Sequence, residues 1–172
     1  MTATAITSEQ IAEAARRFLT DYTTLGELKG ISHQELEAVY SLGFTHYRTG
    51  RYEDASKLFQ FLVLFDHLNP KYWLALGAVQ QVARDFKGAI ASYAYASFLD
   101  LENPKPQFHA AECFLALGDR QNAASALMAL EQYCPTDTDT GREYRAKAAE
   151  LRKLVGEEAF AEASKPDAEK AQ

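Results

Sequence analysis

A period of 34 residues runs through the middle of the chain, and it limits the possible folds more than any other feature. Laid out from Leu36, Pro70 and Pro104, three blocks align without a gap, at 36–69, 70–103 and 104–137. Their seventh and eighth positions read Leu42-Gly43, Leu76-Gly77 and Ala110-Ala111, and the twentieth are Ala55, Ala89 and Ala123. The twenty-fourth are Phe59, Tyr93 and Leu127, and the fourth are Val39, Trp73 and Gln107. A mid-block glycine stands at Gly50 and Gly118, with Arg84 between them.

This pattern resembles the tetratricopeptide repeat, W-x2-LG-x2-Y followed by A-x3-F, over 102 of the 172 residues. The resemblance implies an all-α superhelical solenoid of three helix pairs. Two antiparallel helices pack closely only where small residues meet, and the sequence suggests the eighth position against the alanine at the twentieth. The apolar run Phe61–Phe65 is then the middle of a second helix rather than a strand. At 100° per residue, Ala55, Phe59 and Leu62 face the partner helix and Val63 leans toward the next block. Phe61 and Leu64 are left over, with nothing inside the repeat to cover them.

The flanks supply further helices. Segment 1–35 opens with a capping-box pattern, Thr7-x-x-Gln10, and then sets Ile11, Ala14, Ala15, Phe18, Leu19 and Tyr22 at helical spacing. That amphipathic stretch has no partner of its own, so it is expected to dock on the solenoid or on a second copy, with Ile11, Phe18, Leu19 and Tyr22 as dimerisation residues. A second capping box, Ser32-x-x-Glu35, begins the first repeat helix. Over 138–155, a stripe of Tyr144, Ala148, Leu151 and Val155 among charged residues reads as a terminal capping helix, and 156–172 reads as a disordered tail.

The first helices line the inside of such a superhelix. Block one points Val39, Leu42, Gly43 and His46 toward the core, and carries a second stripe, Tyr40, Phe44 and Tyr47, rotated from it by roughly 115°. The counterparts of that stripe are Leu74, Ala78 and Gln81, then Phe108, Glu112 and Leu115. Either the N-terminal helix covers these aromatics or they line an open groove, and tyrosine hydroxyls suit a wet groove better than a sealed core. A groove of aromatics does not suit clamping the terminal carboxylates of heat-shock chaperone tails, which needs inward Lys and Asn. An apolar, extended or proline-containing ligand is the expected occupant.

Other functions are disfavoured. A net charge of −6, with no cluster of Lys and Arg, argues against nucleic acid. The longest unbroken apolar runs have five residues, too short for a membrane span, and Glu9, Glu13, Arg16 and Arg17 interrupt any signal peptide. Cys113 and Cys134 read as buried reduced thiols, and the four histidines have no metal-ligand spacing beyond His109-x-x-Glu112. No phosphate loop, nucleophile elbow or cofactor motif is visible, so no enzyme, metal or cofactor is expected.

The stretches LKGIS, LEAVYSLGFTHYRTGRYEDASKLFQFLVLFDH, YWLALGA, SYAYASFLD and FHAAECFLALGD, in this order over about residues 25–119, resemble the class II chaperones of type III secretion, the low-calcium-response H group. The resemblance implies a cytoplasmic, non-enzymatic bacterial chaperone that binds two hydrophobic translocator proteins and keeps them soluble and apart before export. It places client contacts on Tyr40, Phe44 and Tyr47, with His67 nearby, and implies dimerisation through N-terminal helices. Some members also co-activate an AraC-type transcriptional regulator. The alternative is a generic tetratricopeptide scaffold or assembly factor of a secretion or pilus apparatus.

Overall fold

The computed structural model describes residue 13 and residues 23–165. Apart from Glu13, the amphipathic stretch Ile11–Tyr22 therefore lies outside the described residues, as does the end of the tail. Helix α1 spans Leu25–Lys29, and three antiparallel pairs follow: α2 (His33–Arg48) with α3 (Tyr52–Phe65), α4 (Pro70–Val82) with α5 (Phe86–Leu99), and α6 (Pro104–Ala116) with α7 (Arg120–Tyr133). Helices α8 (Asp139–Val155) and α9 (Glu157–Ala163) close the far end. Among the described residues there is no strand.

Local chemistry sets these boundaries. Thr24 with Glu27, and Ser32 with Glu35, form reciprocal capping boxes that start α1 and α2. Asn69-Pro70 and Asn103-Pro104 begin the later first helices: the Asn side chain accepts from the backbone N–H two residues on, and proline occupies the turn where its missing donor costs nothing. Asp85 and Asp119 cap α5 and α7, whereas Arg51 at the equivalent place leaves α3 without a side-chain cap. Each pair turns through a left-handed residue at the fifteenth position, with φ of 78° at Gly50, 63° at Arg84 and 78° at Gly118. Only Arg84 carries a side chain there, at a cost of about 1–2 kcal/mol.

The pairs are closed by rings set over glycines. A Cβ on Gly43 would lie 2.9 Å from Phe59 Cε1, and one on Gly77 would lie 2.6 Å from Tyr93 Cε1. The eighth position thus makes room for the large residue at the twenty-fourth. In block three Ala111 shares a buried cluster with Leu127, so a larger residue in one helix accompanies a smaller one in the other.

Ala55, Phe59 and Leu62 are buried, and Val63 packs against the cluster that includes Tyr72 and Leu76 of the next block. Phe61 and Leu64 remain on the surface, Leu64 at 62% exposure. Their repeat equivalents Tyr95 and Phe98 are exposed as well, and block three has Ala129 and Gln132 in those places. Leu42, expected in the core, is 49% exposed, because its side of α2 is the one that Leu76 and Ala110 turn toward a preceding block.

At the other end α8 buries Tyr144, Ala148 and Val155 against Phe108 and Leu127. The tail expected to be disordered is helical over Glu157–Ala163 and buries Phe160 in the same cluster. Gly156, at φ 88°, makes the corner; Arg120 Nη1 donates to the carbonyls of Leu154 and Val155 at 3.2 Å, and the Arg152 guanidinium lies 3.7 Å from the Phe160 ring centre. One aromatic gives seven otherwise small or acidic residues something to bury. Cys113 and Cys134 are free and buried, and burial pushes the Cys113 thiol up to about 12.

Candidate peptide-binding groove

Tyr40, Phe44 and Tyr47 fall on one side of α2 because they are spaced by four and three residues. Pairing brings Phe59 behind them, and stacking brings Leu74, Ala75 and Ala78 of α4 alongside. Together these seven residues, with Lys71, Lys105 and His109, line a cavity of about 200 Å³. That is smaller than the roughly 300–1,000 Å³ of pockets for drug-sized molecules, and suits one bulky apolar side chain of a longer ligand.

The aromatic wall is ordered by its own contacts. Tyr40 stacks on Phe44 with ring centres 6.3 Å apart, and lies 5.8 Å from Phe59 and 5.9 Å from Tyr72. Tyr47 meets the edge of Tyr52 at 5.7 Å. Burial raises the pKa of both Tyr40 and Tyr47, so each keeps its phenolic proton and can donate to a ligand carbonyl. Lys71 Nζ sits 3.9 Å over the Tyr40 ring and 2.6 Å from Glu37 Oε2, while the Tyr72 hydroxyl donates to Glu37 Oε1 at 3.1 Å.

A polar chain crosses from block two to block three nearby. The Tyr93 hydroxyl donates to Gln81 Oε1 at 2.7 Å, Gln81 Nε2 donates to Glu112 Oε2 at 3.2 Å, and His109 Nδ1 lies 2.8 Å from the same oxygen. Burial pushes the Glu112 carboxyl up, but the hydrogen bonds from His109 and Gln81 outweigh it and hold it below the usual carboxylate value. Gln81 and Glu112 are consequently tied to each other rather than free to meet a ligand.

The structure therefore gathers Tyr40, Phe44, Tyr47, Leu74 and Ala78 around one space and separates the remaining expected residues from it. Phe108 turns away and packs edge-on against Tyr144 at 5.4 Å, because α8 supplies the apolar partner. His67 lies in the turn between α3 and α4, where its backbone carbonyl accepts from Trp73 Nε1 at 2.8 Å. Lys71, Lys105 and His109 were not anticipated. The two lysines share the second position of their blocks, a signal present in the repeat register.

The tetratricopeptide repeat family matches residues 36–69. Low calcium response locus protein H of Yersinia pestis is 39% identical over 126 residues, which are 73% of this chain and 75% of that protein. The crystal structure of a type III secretion system complex from Aeromonas hydrophila matches 83% of this chain and 95% of its own at 36% identity, with a TM-score of 0.78. The Yersinia enterocolitica type III secretion chaperone SycD, solved in complex with a peptide of the translocator YopD, matches 73% of this chain and 95% of its own at 35% identity and a TM-score of 0.68. With the helix pairs, the aromatic wall and this degree of identity taken together, the chain belongs to the low-calcium-response H family of type III secretion translocator chaperones.

Proposed function

We propose that this chaperone holds an extended segment of a type III secretion translocator in the groove bounded by α2 and α4, with one apolar side chain of that segment seated among Tyr40, Phe44, Tyr47, Leu74 and Ala78. The observation that carries the reading is the cavity itself: an aromatic wall on a first helix, half-exposed at Phe44, standing open beside a packed core. The complex of SycD with a peptide of the translocator YopD supports a translocator segment as the ligand. An apolar anchor contributes about 1.5–3 kcal/mol on burial. Ordering the segment costs roughly 2–5 kcal/mol. A few anchors thus give a complex that an export machine can undo.

The test is fluorescence anisotropy with a labelled translocator peptide. Tyr47→Ala leaves the melting temperature within a degree or two and weakens binding by about 1–3 kcal/mol. An unchanged affinity in the folded variant rules the groove out.

The same reading includes a second translocator as client, a bacterial cytoplasmic location, no catalytic activity, and a homodimer formed through residues 1–22. Among the described residues no helix is long and apolar enough to cross a membrane, which supports only the absence of such a helix there. Light scattering at tens of micromolar tests the dimer: Phe18→Glu or removal of residues 1–22 lowers the mass, and a monomeric intact chain refutes it. An AraC-type regulator is the further partner, to be sought by pull-down from cells depleted of translocators.

A further inference from the structure

The second position of each block carries a charge: Glu37, Lys71 and Lys105. Glu37 reaches Lys71 of the next block, and its carboxyl is held below the usual value chiefly by that bond. Lys71 and Lys105 both border the groove cavity. Lys105 repeats the cation one block further on, half-buried, and among the described residues no carboxylate pairs with it. Glu112, the other carboxylate close by, is held by His109 and Gln81.

Neither lysine is placed for helix stability. Each is the second residue of its helix, where the positive end of the helix dipole favours Asp or Glu, and neither α4 nor α6 has an acidic residue in its first turn. The sign is also contrary to the chain as a whole, which carries 24 acidic against 18 basic residues. An apolar cavity with an unanswered cation at its wall complements a ligand that is apolar and acidic at adjoining positions.

We propose that the segment held in the groove presents an Asp or Glu side chain to Lys105, next to the apolar side chain that fills the cavity, so that Lys105 selects acidic-flanked clients and repels basic-flanked ones. The proposal rests on the groove reading above and adds a chemical class to it. Lys105 is a half-buried residue at the cavity wall, and a carboxylate placed against its ammonium forms a charge-assisted bond. A lysine or arginine in the same place meets two cations and no free carboxylate, and discrimination by repulsion follows.

Peptide display on the intact chain, in wild-type and Lys105→Glu forms, tests it without a named client. Wild-type selections enrich Asp or Glu within two or three residues of a bulky apolar residue, and Lys105→Glu selections lose that enrichment and turn toward Lys or Arg. The strongest wild-type peptide, made synthetically and measured by anisotropy, binds Lys105→Glu about tenfold more weakly, and replacing its acid by lysine restores part of the loss. Folding does not confound the comparison, because glutamate suits the start of α6 and the melting temperature stays level or rises. Equal acid frequencies in the two selections, or an affinity indifferent to Lys105→Glu, overturn the proposal. If the selected peptides also bind Phe44→Glu undiminished, they lie outside the groove and the groove reading falls with it.

Discussion

Leu42 and Leu76 stand at the same position of successive blocks, on the same side of the same kind of helix, yet Leu42 is 49% exposed and Leu76 is 5% exposed. The difference owes nothing to their own helices. Leu76 is covered because α2 and α3 precede it, whereas among the described residues the one helix before that of Leu42 is the five-residue α1. The far end of the solenoid shows the opposite solution, in which α8 and α9 bring Tyr144, Val155 and Phe160 to close the last pair. In a stacked array a residue's burial is set by its neighbour in the row, so equal sequence positions carry unequal energies.

The largest expected effect tests that inequality directly. Leu76→Ala costs about 2–5 kcal/mol by urea denaturation, and Leu42→Ala under about 0.5 kcal/mol. Equal costs would mean that something covers Leu42 in solution, and the two ends would then be alike.

A closer contrast sets block two against block three. Gly77→Ala drives a methyl into the Tyr93 ring and costs about 1–3 kcal/mol. Ala111→Gly, which only empties space beside Leu127, costs about 1 kcal/mol, read from the same denaturation series. If the two costs come out reversed, the ring-over-glycine account of pairing is wrong.

At the turns the expected change has the opposite sign. Arg84→Gly makes the middle turn like those at Gly50 and Gly118, and raises stability by about 1 kcal/mol in a thermal melt. No gain would mean that the left-handed backbone at Arg84 is not strained.

The smallest effect concerns the polar chain that joins blocks two and three. The Glu112 pKa is lower folded than unfolded, so its contribution is fully present above the unfolded value near 4.5 and is lost as pH falls through the folded value. Between neutral pH and about pH 3, Glu112→Gln should therefore lose less stability than the wild type. Parallel pH profiles of the two proteins would deny the carboxylate that role.

The register of the repeat was legible in the sequence because its markers are local: Asn-Pro at a helix start, glycine at a left-handed turn, and a small residue opposite a ring. The aromatic wall was legible for the same reason, since Tyr40, Phe44 and Tyr47 share one helix. What escaped depends on distant partners. Phe108 has a groove position by register, but Tyr144, 36 residues later, draws it into the core. Phe160 sits in a stretch too polar to announce a helix until Arg152 and the α7–α8 surface give its ring a seat. Lys105 looks like any surface lysine until stacking sets it at the cavity wall.

The seating of Phe59 over Gly43 and of Tyr93 over Gly77 also fixes what can be transplanted among such proteins. A hybrid that joined the first helix of block three to the second helix of block two would place the Ala111 methyl where, at Gly77, a Cβ comes within 2.6 Å of the Tyr93 ring. Single helices are therefore not portable, and whole pairs are. Shuffling between family members, in nature or by design, should preserve junctions at Asn69-Pro70 and Asn103-Pro104 and fail at the turns holding Gly50, Arg84 and Gly118.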